Sequence, residues 1–400
     1  MVFLKRCAPF GLVVIASAWL ASMPTNPGDW TIDAQPAATA LAHGHLGDYL
    51  SAEAMMGPFA TLVQAPFVAV AGEGDLAQYQ WASLPCLFAA GLLGLYLAAI
   101  ARRRGASPLA QALIAALCLV NPLALEALEN GHPEELLTAA LAVGAVATAA
   151  EGKNWRATVL LGLALASKQW AVIAVLPTLM ALPAQRIRTC LGALGIAIAL
   201  TLPALIASPD AFFEVHGNAA STGSTVTPWS IWYPFATVAT ETFQVGSTQL
   251  VADVHKAPPL VGSLSHPLIV LLAFAVPLAL AWRRRGSSLS GGDAMALLAL
   301  IALLRCALDP VDNLYYHAPI LLALFGWDAF ESKGLPVRGL VGTAAALLLW
   351  GWWDYFSDVA AFNATYLAIA LTGGSMIAVA LFGRLRWTRA RRSADLSVHT

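Results

Sequence analysis

Apolar runs of about 17–25 residues, the length that crosses a hydrocarbon core, recur along this 400-residue chain from one end to the other. In lipid every backbone amide must find its partner within its own segment or in a closed barrel, so continuous apolar runs of this length are helices. Hydrophobic residues make up 58% of the chain and charged ones 11%, far from the profile of a soluble domain. A net charge of −1 says little by itself, and no nucleic-acid partner is expected. The fold class that follows is all-α: a polytopic membrane protein built as one integral domain over residues 1–400, with membrane lipids as its surroundings.

The basic residues set the topology. They fall in short clusters: Lys5 and Arg6; Arg102, Arg103 and Arg104; Lys153 and Arg156; Arg186 and Arg188; Arg283, Arg284 and Arg285; Lys333 and Arg338; and the tail from Arg384 to Arg392. By the positive-inside rule these mark cytoplasmic loops. The spans predicted between them are 7–23, 81–101, 109–125, 136–150, 190–206, 267–282, 294–308, 319–330, 340–353 and 366–382. The run 157–182 carries basic clusters at both ends, which one crossing cannot satisfy. Two half-helices meeting near Lys168 at the outer face do satisfy it, and broken helices are tolerated where they line a cavity. The total is about 11–12 transmembrane helices with both termini cytoplasmic, residues 384–400 forming a basic tail.

Two long extracytoplasmic loops remain, 25–80 and 207–265. The first predicts a short helix over 34–42 ended by Gly44, and an apolar segment over 59–71 that is too short to span and lies at the interface. The second is rich in Ser, Thr, Gly and Pro, and its Lys256 reads as solvated. The five cysteines show no metal-ligand spacing and read as small membrane-facing residues. A cleaved signal peptide competes with a retained first helix, because small residues at 16–18 follow a basic start. The Asn363-Ala364-Thr365 sequon at a helix entrance reads as incidental. No internal repeat, glycine-rich phosphate loop or paired-histidine zinc motif occurs.

Polar chemistry gathers on the outer side in four places. Asp29 and Asp33 stand just where the first helix leaves the membrane. A carboxylate there can deprotonate a hydroxyl attacking a sugar's anomeric carbon, or it can simply end the helix in water. In the stretch 129–135, Asn130 is placed to cap a helix whose first turn holds Pro133, Glu134 and Glu135. Capping leaves His132 and the concentration of carboxylates unexplained; together they suit sugar hydroxyls or a divalent cation. Lys168, followed by Gln169 and Trp170, sits amid an apolar run, where it either snorkels or holds a phosphate beside an aromatic platform. Arg305 lies one turn before Asp309, near Asp312, Asn313, Tyr315, Tyr316 and His317. An intrahelical ion pair accounts for it, as does a phosphate headgroup.

These residues, in this order and on this side, resemble the polytopic GT-C glycosyltransferases, and most closely the bacterial family eighty-seven type that uses polyprenyl-phosphate sugars. The resemblance rests on the carboxylate after the first helix, the stretch from Asn130 to Leu136 opening a helix, residues 162–170, and residues 309–319 with their paired tyrosines. It implies an aspartate general base in the first outer loop and basic residues, here Lys168 and Arg305, on the donor phosphate. It further implies sugar contacts from the Asn130, His132, Glu134 and Glu135 group, from Gln169 and Trp170, and from Tyr315, Tyr316 and His317. The family pattern has an aspartate, then a tyrosine, then a glycine; here Asp29 is followed by Asp33 in the tyrosine's place and by Gly44. Both aspartates therefore stand as candidates for the base. The implied activity is hexosyl transfer, mannosyl being one case, from a polyprenyl-phosphate donor to a lipid or glycan acceptor of the cell envelope. The implied location is a bacterial plasma membrane, with the active site facing outside; no cofactor is implied, and a divalent cation stays an open alternative. A transporter or flippase is the competing class, since intramembrane Lys168 and Arg305 also suit partner-switching ion pairs.

Overall fold

The computed structural model describes residues 2–52, 55–220, 225–245, 248–284, 287–353 and 358–397. Arg285 of the sequence reading and the last residues of the basic tail lie outside them. The helices run α1 (Val2–Ala21), α2 (Trp30–Asp33), α3 (Gln35–Ala42), α4 (Leu46–Ser51), α5 (Pro58–Val68), α6 (Asp75–Arg103), α7 (Pro108–Leu117), α8 (Pro122–Glu129), α9 (Pro133–Ala150) and α10 (Asn154–Leu165). After a 3-10 segment (Gln169–Ala174) come α11 (Val175–Ala181), α12 (Arg186–Ala207) and α13 (Pro209–Ala220). An antiparallel hairpin of β1 (Thr237–Val245) and β2 (Thr248–Lys256) precedes α14 (Pro259–Arg283), α15 (Gly291–Leu308), α16 (Ala318–Glu331), α17 (Val337–Trp353) and α18 (Val359–Ser397). Among the described residues, seven helical segments are long and apolar enough to cross a membrane, with α7 and α8 together making one of them.

Two helices form the heart of the bundle. The apolar window of α9 is 94% buried and that of α15 is 72% buried. Much of α9 is Ala, Gly and Thr, so α6, α10, α11, α15 and α16 approach it closely on all sides. The window of α12 is just as apolar yet only 6% buried. It faces lipid, since an apolar helix outside the core has no other suitable solvent.

Most predicted spans fall on observed helices, and the differences have local causes. The span expected over 109–125 is two helices, because Asn121 caps α8 by accepting from the Ala124 N–H at 3.0 Å and Pro122 begins the helix. Its last turn ends at Asn130, which is a correction to that residue's expected role. Asn130 sits at the C-terminal end of α8, its side-chain amide donating to the Glu126 carbonyl, and His132 is the residue that precedes α9. The loop 207–265 carries α13 and the β-hairpin, and α14 begins earlier than expected, passing through Pro267. Lys256 is not simply solvated: it pairs with Glu241 across the hairpin at 2.5 Å. Cys86, Cys118 and Cys306 are buried within the bundle and do not face lipid. Asn363 is also buried, donating to the Pro228 and Ser230 carbonyls at 2.7 and 2.9 Å and so tying the second long loop to α18.

The expected hairpin near Lys168 is present. Helix α10 ends at Leu165, Lys168 is fully extended (φ −151°, ψ 142°), and the chain resumes as a 3-10 segment leading into α11. Carbonyls released by the break are taken up from the first long loop: the Gly57 N–H bonds Ser167 O at 2.8 Å and the Phe59 N–H bonds Ala166 O at 3.1 Å. A side chain at Gly57 would collide with the Ala166 carbonyl, so only glycine permits this docking.

Candidate active site

The site is assembled where three loops meet at one end of α9. Gly28 (φ +57°) and Gly131 (φ +85°) lie against each other in left-handed conformations. A Cβ on Gly28 would come within 2.6 Å of the Asn130 backbone, and one on Gly131 within 2.5 Å of Pro27 O. The Asp29 N–H bonds Asn130 O at 3.2 Å. Two glycines thus let the loop after α1 lie flat on the turn before α9, and this brings Asp29 to His132.

From there a line of charged side chains runs inward. Asp29 Oδ2 is 3.4 Å from His132 Nε2, and His132 Nδ1 is 3.1 Å from Glu134 Oε1. The same Glu134 oxygen is 2.9 Å from Lys168 Nζ, and Lys168 reaches Glu135 Oε1 at 3.2 Å. Glu135 Oε2 accepts from Trp170 Nε1 at 2.7 Å. Glu134 and Glu135 are buried, so Lys168 is their counter-charge and not a snorkelling surface residue. Burial alone would push His132 down, but its hydrogen bonds to Asp29 and Glu134 and the Glu134 charge outweigh it and lift it to about 9. Both ring nitrogens then carry protons, as two carboxylate partners require. The bond from His132 holds Asp29 below the usual carboxylate range, while burial pushes Asp33 above it.

A second cluster faces the first. His132 stacks on Tyr315 at 5.0 Å, Tyr315 meets Tyr316 edge-on at 4.7 Å, and the Arg305 guanidinium lies 4.3 Å over the Tyr316 ring. Arg305 is 3.7 Å from Asp309, the pair anticipated one turn on, and 3.7 Å from Asp312. Neither distance is a hydrogen bond, so the guanidinium fork is held electrostatically with its N–H groups not committed to these acids. His266 of α14 reaches Asp309 at 3.7 Å.

Between the clusters lies a cavity of about 830 Å³. Asp33, His132, Glu135, Lys168, Gln169, Trp170, Arg305 and Tyr316 all line it, with Asp309 and His266, and α14 supplies an apolar wall of Ile269, Val270 and Ala273. Other expected residues stand back from it. Asp29 is exposed at the edge, joined through His132; Glu134 and Tyr315 are behind the wall; Asn130 contributes its backbone. His317 turns away, its Nε2 3.1 Å from the Tyr366 hydroxyl. Sequence reasoning missed His266, because Pro267 looked like a helix start when it lies inside α14.

The arrangement is a polytopic membrane helical bundle with carboxylates and cations lining one cavity at a bundle end. The profile of glycosyltransferase family 87 matches residues 56–306. The chain belongs to that family. Among solved structures it is similar to ArnT from Cupriavidus metallidurans, determined bound to undecaprenyl phosphate. Identity is 16% with a TM-score of 0.51, over 97% of this chain and 72% of that one. No curated protein matches.

Proposed function

We propose that the protein transfers a hexose, with mannose the leading case, from a polyprenyl-phosphate donor to a cell-envelope glycan or glycolipid at the outer face of a bacterial plasma membrane, both termini being cytoplasmic. The observation that carries this reading is the shared cavity: Asp33, His132, Lys168 and Arg305 line one space, although they lie on loops far apart in the chain. The ArnT structure, bound to a polyprenyl phosphate, supports the donor class.

In this reading Arg305 holds the donor phosphate through its planar fork, and Trp170 and Tyr316 flank the sugar. Lys168 adds positive charge from the opposite wall. Asp29 is the base. It stands at the exposed edge, where an acceptor arrives, and its hydrogen bond to His132 keeps it ionised. The acceptor hydroxyl attacks the anomeric carbon as the bond to phosphate oxygen breaks. The hydroxyl proton passes to Asp29, and polyprenyl phosphate leaves with the electron pair, inverting the anomeric centre. An attacking hydroxyl grows more acidic as its bond forms, so an ionised base of modest strength suffices. Asp33, on the cavity wall, bonds a substrate hydroxyl. Glu134 and Glu135 already share the Lys168 ammonium, so we assign them no divalent cation.

The test is transfer by purified protein in nanodiscs, from synthetic polyprenyl-phosphate hexoses to a membrane extract of acceptors. Asp29→Asn should lower kcat by about a hundredfold or more, the usual weight of a general base. Asp33→Asn should act mainly on KM. The reverse ranking would move the base to Asp33, and no transfer from any such donor would remove the proposal.

A further inference from the structure

Behind the Arg305 wall, one short stretch brings a thiol, a carboxylate and an imidazole together out of contact with the cavity. Cys306 is in the last turn of α15, Asp312 in the loop that follows, and His317 at the end of a 3-10 turn (Leu314–His317). One ligand atom from each, all three residues being buried, lies within 4.8 Å of the others. We propose that Cys306 Sγ, an Asp312 carboxylate oxygen and His317 Nε2 form a structural site for one zinc-type transition-metal ion.

Asp312 gives the first reason. Its side chain is wholly buried, and neither carboxylate oxygen has a hydrogen-bond partner. Its charged neighbours are His317 at 3.6 Å and Arg305 at 3.7 Å, both beyond hydrogen-bond length. A buried carboxylate left in this state is costly and calls for a partner.

The imidazole gives the second. His317 Nδ1 is 3.1 Å from the Leu314 carbonyl, so the N–H there is committed to backbone. That fixes the tautomer and turns the Nε2 lone pair inward, the arrangement that metal-bound histidines adopt. The hydroxyl of Tyr366, 3.1 Å from Nε2, is placed to become a fourth ligand or to turn aside. Tetrahedral zinc with sulfur at about 2.3 Å and nitrogen or oxygen at about 2.0–2.2 Å separates its ligands by about 3.3–3.8 Å, so the three atoms need draw together by about 1.5 Å at most.

Donor type selects the ion. A thiolate with an imidazole favours zinc over magnesium or calcium, which prefer all-oxygen sites. On binding, the Cys306 thiol loses its proton to water, and thiolate and carboxylate together balance the dication. Arg305 keeps Asp309 as its own counter-charge. The ion would staple the 306–317 stretch, which carries Tyr315 and Tyr316, to the end of α15.

Cobalt is the probe, because its thiolate complexes absorb in the near ultraviolet. Chelator-treated full-length protein in detergent, titrated with Co²⁺, should give a thiolate-to-cobalt band saturating at about one equivalent per chain, bleached by Zn²⁺. Cys306→Ser should abolish the band, Asp312→Asn should weaken binding tenfold or more, and Cys190→Ser should change nothing. If the Cys306 or Asp312 variants do not fold, wild-type protein decides: Zn²⁺ should slow alkylation at Cys306 selectively in peptide mapping. Absence of the band from wild-type protein, its survival in Cys306→Ser, or equal alkylation with and without Zn²⁺ would each overturn the site.

Discussion

Lys168 Nζ and Glu134 Oε1 lie 2.9 Å apart with the carboxylate buried, and the same ammonium also serves Glu135. Removing the lysine leaves two buried glutamates without a counter-charge. Lys168→Met should therefore destabilise the protein by about 3–5 kcal/mol, the usual cost of breaking a buried pair. Lys168→Met combined with Glu134→Gln and Glu135→Gln should recover much of that loss. Thermal unfolding in detergent compares the two, and equal melting temperatures for wild type and Lys168→Met would show the cluster carries no such weight.

His132 gives the protein a pH dependence of defined sign. Its folded value of about 9 lies above the ordinary 6.5, so protonated His132 contributes stability fully below the ordinary value and loses it as pH rises through about 9. The full contribution is about 3 kcal/mol. Asp29 has the opposite sign: its lowered value means a contribution present above the ordinary aspartate range and lost as pH falls through the folded value. Melting temperature should fall between about pH 7 and 10 more steeply in wild type than in His132→Gln. Parallel curves for the two proteins would contradict the assignment.

The back-to-back glycines should tolerate no side chain. Gly131→Ala demands a left-handed alanine, costing about 1–2 kcal/mol, with a Cβ driven into the loop before Asp29. Because the clash parts Asp29 from His132, transfer activity should drop at least tenfold while the bundle still folds. Gly44 also has a positive φ but open space around it, so Gly44→Ala should cost strain alone and leave transfer nearly intact.

Arg305→Lys preserves charge but loses the planar fork that lies over Tyr316. Donor KM should rise about tenfold, with kcat changed less, and Tyr316→Leu should reproduce part of the rise by removing the ring. Steady-state kinetics at varied donor concentration separates these effects. An unchanged donor KM in Arg305→Lys would take the phosphate role away from Arg305.

The sequence exposed the parts of this fold that hydrophobicity and charge control. The break near Lys168 was legible because basic clusters at both ends of 157–182 forbid a single crossing, and the break is there. Gathering Asp33, His132, Lys168 and Arg305 in one cavity was legible only as a shared membrane side. The contacts themselves depend on Gly28 against Gly131 and Gly57 against Ala166, and no periodicity announces a close approach between distant loops. The β-hairpin had a signal that composition masked: β-branched Val and Thr on either side of Gly246-Ser247, in a segment rich enough in Ser and Thr to read as coil. Asn121-Pro122, a helix-start signature, was likewise lost within an apolar run.

Helix α14 presents Ile269, Val270 and Ala273 to the cavity, yet only 28% of its apolar window is buried. The partition between a charged chamber and the surrounding hydrocarbon is therefore one helix thick on that side, about 10 Å. A substrate with a polar head and an oily tail could straddle that plank, head among ions and tail among lipids, without either end visiting the wrong solvent.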